Sequence, residues 1–137
     1  MRGALILMVT LVLGLSSSAA QAPMTAFKGR PSIKVSEGGI ERTPEQVTRE
    51  RAINLECVIS KIDDRFYWAS RENVPLVEME NGAFLTYVAA NGSGYVRVVK
   101  PEAKAAAALM SPTEAQFDYI EHLVIGLRSV TYYGIRQ

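Results

Sequence analysis

Val77-Glu78-Met79-Glu80-Asn81-Gly82-Ala83-Phe84-Leu85-Thr86-Tyr87-Val88 is the stretch from which the fold is read. Asn-Gly between two strand-like runs is a strong hairpin signal, because both residues tolerate the positive φ of a tight type I′ turn. With Asn81-Gly82 as the loop, Glu80 faces Ala83, Met79 faces Phe84, Glu78 faces Leu85 and Val77 faces Thr86. Val77, Met79, Phe84 and Val88 then share one side, which this register makes the core side. Leu85 and Tyr87 point the other way, onto a face apolar enough to want a helix across it.

Working outward, Asn91-Gly92-Ser93-Gly94 is a loop leading into a strand from Tyr95 to Lys100, which Pro101 ends. On the other side, Asp63-Asp64 turns the chain between Val58 to Ile62 and Arg65 to Ala69, placing Trp68 opposite Ile59. Together these runs predict a five-stranded antiparallel meander. Thr43-Pro44-Glu45-Gln46 carries a helix-start pattern, with a capping threonine, proline at the first helical position and a glutamine that reaches back. It predicts a short helix from Pro44 to about Arg51. Glu102 to Met110 is alanine-rich and helix-permissive. Ser111-Pro112-Thr113-Glu114 is a second capping box, after which Phe117, Ile120, Leu123, Val124 and Leu127 recur at helical spacing and Gly126 suits the helix end. Ser129 to Tyr133 is β-branched and aromatic, a last strand.

The chain before this region has a different character. Met1-Arg2, an apolar run from Ala4 to Leu15 and small residues from Ser16 to Ala22 read as a secretory signal peptide, cleaved after Ala20. The run is too short for a membrane span, which takes about 20 apolar residues. Gln21 to Glu41, with Pro23, Gly29, Pro31, Gly38 and Gly39, has no sustained period and reads as a flexible arm or linker, with a short docking strand at Ser32 to Val35 as the alternative. The expected organisation is a signal peptide over 1–20, an arm over 21–41 and a single domain over 42–137. The expected fold class is α+β: a small antiparallel β-meander of about five strands, one or two helices packed on one face, and a flexible N-terminal arm in front.

Charge and cysteine usage narrow the function. The chain holds 15 basic and 14 acidic residues, and losing Arg2 with the leader balances them. A neutral chain without a basic cluster is a poor ligand for nucleic acid or an anionic membrane. The lone Cys57 staples nothing and reads as a buried apolar residue between Leu55 and Ile59.

Catalytic chemistry is sparse. A thiol-dependent hydrolase would need Cys57 as nucleophile, His122 as base and Asp118 to orient the ring. On the predicted helix, however, Asp118 and His122 are a surface pair one turn apart, and Cys57 lies in a strand, away from any helix N-terminus that would lower its pKa. One histidine and one cysteine do not build a zinc site, so no metal and no cofactor are expected.

The aromatic run Phe66-Tyr67-Trp68 with Arg71 is the best binding candidate. Tyr67, Trp68 and Arg71 are of the kind enriched at protein interfaces, and an exposed Trp68 with Tyr67 would also stack on a sugar. Read as packing, Trp68 is instead a core anchor. Asn91-Gly92-Ser93 matches a glycosylation acceptor. The expectation is therefore an exported protein, periplasmic or secreted, acting without catalysis as a binding or accessory module. Its partner would be another envelope or extracellular protein, with carbohydrate second, no nucleic acid, and no membrane span after cleavage. A hydrolase using Cys57 and His122, and a structural component self-associating through an open strand edge, are the alternatives.

Overall fold

The computed structural model describes residues 22–37, 42–110 and 116–137. The expected leader over 1–20 and the capping box at 111–114 lie outside them. In chain order the elements are β1 (Met24–Glu37), β2 (Arg42–Gln46), α1 (Arg49–Asn54), β3 (Cys57–Ile62), β4 (Arg65–Trp68), β5 (Val74–Asn81), β6 (Phe84–Ala89), β7 (Gly94–Val99), a 3-10 turn (Pro101–Ala103), α2 (Lys104–Met110), β8 (Tyr119–Ile125) and β9 (Arg128–Arg136). Among the described residues no helix is long and apolar enough to cross a membrane.

All pairings are antiparallel, and β1 meets β9 as well as β3, so β1 and β3 to β9 close into an eight-stranded barrel. This overturns the α+β expectation of a five-stranded meander carrying helices on one face. The expected flexible arm is also corrected, because β1 is a fourteen-residue strand that closes the barrel. Its Gly29 sits at a close approach to Tyr119 and its Pro31 at a register shift before Ile33, features that erase a period without breaking a strand. Along one edge β1 pairs first with β3 (Phe27 with Ile59) and then with β2 (Val35 with Pro44). Pro44 therefore stands in an outer strand, where its missing N–H is tolerated, and starts no helix. The short helix begins later, where the Thr48 hydroxyl accepts from the Arg51 N–H at 3.4 Å.

Residues opposite one another share a face, and the registers thread the interior across the wall. Phe27, Ile59, Trp68 and Val74 form one row, and Tyr87, Val96, Glu121 and Tyr132 another. A third runs from Leu85 through Val98 and Tyr119 to Gly134. Trp68, Ile59, Cys57 and Val96 are fully shielded from solvent, so the interior is a packed core. Each large side chain there contributes roughly 2–3 kcal/mol. The Trp68–Ile59 pairing is the one that an Asp63-Asp64 turn imposes.

Two further expectations change. In the central hairpin Asn81 pairs with Phe84 and Met79 with Thr86, two residues on from the sequence register. A slip of two keeps the faces, so Val77, Met79, Phe84 and Val88 do lie together, but on the outside. Val77 and Met79 are 57% and 56% exposed, while Leu76, Tyr87 and Ala89 fill the barrel. The loop is Gly82-Ala83, with Gly82 alone at positive φ (60°), as a type II′ turn requires.

The second change concerns 117–127, expected as a helix. Tyr119–Ile125 is a strand paired on both sides, with β7 and β9. Tyr119, Glu121 and Leu123 alternate as well as any helical stripe repeats, and pairing along two edges decides between the periods. Gly126 (φ 64°) opens another two-residue loop, Gly126-Leu127, and ends no helix. The helix α2 covers part of the wall, its Ala107 packing with Ala83, Phe84 and Val99 outside β6 and β7.

Candidate functional site

A carboxylate at an inward strand position costs heavily unless it is paired. Glu121 on β8 is completely buried. Trp68 Nε1 donates to its Oε2 at 2.9 Å, and Arg71 Nη2 donates to its Oε1 at 2.8 Å. Trp68 arrives on β4 by simple alternation, but Arg71 lies beyond the strand end and must fold back. The turn that follows Trp68 does this: Arg71 and Asn73 both donate their N–H groups to the Trp68 carbonyl, at 2.9 and 3.1 Å. Glu72 and Asn73 take left-handed backbone (φ 56° and 55°), strained for Glu72 and tolerated by asparagine. The Ser70 hydroxyl accepts from Val58 N–H at 2.9 Å and fastens the turn to β3.

The electrostatics follow from this packing. Burial works against the charge on Arg71, but the Glu121 carboxylate outweighs it and raises the guanidinium pKa. Burial, with Glu121 adding to it, pushes the Cys57 thiol well up, so it stays protonated and unreactive. Burial likewise raises Tyr119 and Tyr132. Arg71 lies over the Tyr132 ring, 6.0 Å from its centroid. Within the described residues, Arg71 Nε and the Tyr119 hydroxyl are buried and have no hydrogen-bond partner.

Arg71 is also the boundary between core and surface, its side chain 29% exposed. There it borders a cleft of about 390 Å³ at the barrel end, between the turn at Ser70–Glu72, the turn at Asn91–Ser93 and the last residues of β8. Leu123, Val124 and Ile125 make one wall of it. The adjoining tip is bare: Val124 is 43%, Ile125 65% and Leu127 fully exposed. Exposed Asn91 borders the same cleft, its Oδ1 accepting from Ser93 N–H at 3.0 Å.

The residues singled out from sequence are dispersed. Trp68 is in the core, Arg71 joins it through Glu121, and Tyr67 points outward, towards a separate groove of about 410 Å³ beside Phe66, Leu76 and Val77. No common surface carries all three. Cys57 faces the interior on β3, whereas His122 lies on the outer face of β8, stacked on Tyr95 with centroids 5.1 Å apart, its Nδ1 2.9 Å from the Thr131 hydroxyl. Asp118 turns to Lys104 (2.8 Å) and the Arg136 N–H (2.9 Å). The three groups of the hydrolase reading do not meet. Among the described residues no cluster of side chains suits a metal ion.

Glu121, the centre of the buried cluster, was not singled out from sequence. The signal available was its place between Tyr119 and Leu123 in a strand period, which would have turned it inward. Comparison of the chain with protein-family models, curated proteins and solved structures found no match, so function is argued from this geometry alone.

Proposed function

We propose that the protein is an exported, non-enzymatic binding module, periplasmic or secreted, and that it binds another protein through the Arg71 end of the barrel. One observation carries the reading: consecutive apolar residues at the β8–β9 tip stand bare beside an apolar-walled cleft. Exposed apolar residues clustered at one hairpin tip beside a cleft form the kind of patch that marks a contact surface. The buried Trp68–Glu121–Arg71 cluster supports this as a brace, holding the turn that forms the opposite side of the cleft. Arg71 therefore belongs to the binding end, with Trp68 as a positioning residue behind it. Tyr67 is not part of it.

The test is a pull-down from envelope and secreted fractions with residues 21–137 as bait, beside Ile125→Asp confirmed as folded by circular dichroism. Loss of a specific partner with the variant is expected; equal capture by both would sink the reading. Iodoacetamide added to the native protein separates this from hydrolase chemistry. Cys57 should be alkylated only after unfolding, and immediate reaction would reopen the enzyme alternative.

A further inference from the structure

We infer that the partner of the Arg71 end is a second copy of this chain, docked tip into cleft about a twofold axis. The inference rests on the binding-end reading above and names its occupant. A twofold contact requires one surface to carry both halves of the fit, so that each residue pair occurs twice. This end carries both. Leu127, fully exposed at the point of the β8–β9 loop, is an apolar knob, and beside it lies a cleft with Leu123, Val124 and Ile125 on one side and Arg71, Glu72 and Asn91 on the other.

Charge complements shape. Arg128, exposed, follows the knob, and Glu72, exposed, lies on the rim of the cleft. Neither makes an ion pair with a described residue of its own chain. Setting Leu127 of one copy in the cleft of the other brings Arg128 towards the partner's Glu72, twice over. The buried charge nearby does not compete, because Arg71 is already neutralised by Glu121 at 2.8 Å.

Self-association through a strand edge is a poorer route. Closure gives every barrel strand two neighbours, and β2, which pairs with β1 alone, carries Pro44 and is only five residues long. With only one loop and one cleft contributed by each copy, the contact should bury less than the roughly 800 Å² per partner of a stable complex, so the dimer should dissociate in the micromolar range or above.

The experiment is sedimentation equilibrium of the mature chain from about 1 µM to 1 mM, a range set by that expected affinity. The wild type should shift from monomer to dimer. Leu127→Asp should weaken association about thirtyfold or more, as loss of a central apolar anchor does. Glu72→Arg and Arg128→Glu should each weaken it about fivefold, and the double exchange should restore it, since the swapped charges meet again across the axis. Rescue is the readout that a merely structural role would not produce. A wild type monomeric throughout, or a double exchange no better than the singles, overturns the inference. If the chain is monomeric yet Ile125→Asp still loses a captured protein, the binding end stands and only its occupant was misassigned. If neither effect is seen, both readings fall.

Discussion

The β5–β6 and β8–β9 hairpins are closed by the same kind of loop, a glycine near φ +60° followed by one apolar residue, and they end in opposite surroundings. Ala83 is buried, because α2 lies over it and its neighbours Phe84 and Val99. Leu127, at the equivalent loop position, touches solvent on all sides. A tip that the chain covers for itself contributes to folding, whereas one it leaves bare contributes only when something else covers it. On the proposed reading, stability and binding are divided between two hairpins of one architecture.

The largest effect expected from breaking this division is at the root of the bare hairpin. Glu121→Ala removes the shared acceptor of Trp68 and Arg71 and leaves the buried Trp68 indole N–H and a half-buried guanidinium unpaired, at a cost of about 3 kcal/mol in urea unfolding. A cost below about 1 kcal/mol would mean that the bare hairpin is not braced from within.

Next come the tips themselves, measured well below the dimerisation range. Phe84→Ala should cost about 3 kcal/mol, while Leu127→Ala should fall within about 0.5 kcal/mol of wild type. Similar costs at both would erase the contrast between covered and bare. Smaller still, Gly82→Ala and Gly126→Ala should each cost about 1 kcal/mol, because both positions are left-handed and neither lacks room for a methyl group. An innocuous Gly126→Ala would show that the two loops are not equivalent.

The smallest effect concerns how the cover is held. Lys104 on α2 pairs with Asp118 at the start of β8. Burial alone would raise the Asp118 pKa, but the Lys104 ammonium and the Arg136 N–H together hold it below its ordinary 3.8. A carboxyl whose folded pKa is depressed adds stability that is present above its unfolded value and lost as pH falls through the folded one. Unfolding followed from pH 6 downwards should therefore show an acid-labile contribution, under about 1 kcal/mol, that Asp118→Asn removes. An unchanged acid limb in the variant would assign that lability to other carboxylates, Glu56 beside Arg30 and Lys28 foremost.

What was legible in the sequence was local. Two-residue turns set register by themselves, so Asp63-Asp64 brings Trp68 opposite Ile59, and the run around Gly82 announces a hairpin within one loop position of the truth. The barrel was not legible, because its defining pairings join the two ends of the chain, and no short window contains them. Residues 117–127 misled for a specific reason: an apolar spacing that fits a helix coexists with an alternation that fits a strand, and only the neighbours choose. The buried cluster was hidden likewise. Arg71 and Glu121 stand 50 positions apart, and each alone resembles an ordinary surface charge.

Closure between β1 and β9 also has a consequence in time. Ser129 donates to Glu37 across 92 positions, and the neighbouring strand pairs are as distant. Such contacts are formed against a large loop entropy and place a chain among the slower, millisecond-to-second folders. β1 can pair with β2 and β3 early, but a ribosome must finish β9 before the other edge of β1 can be closed. Until then β1 and β8 both present open edges, so the newly made protein is a sheet waiting for its last strand, exposed to the wrong partners while it waits.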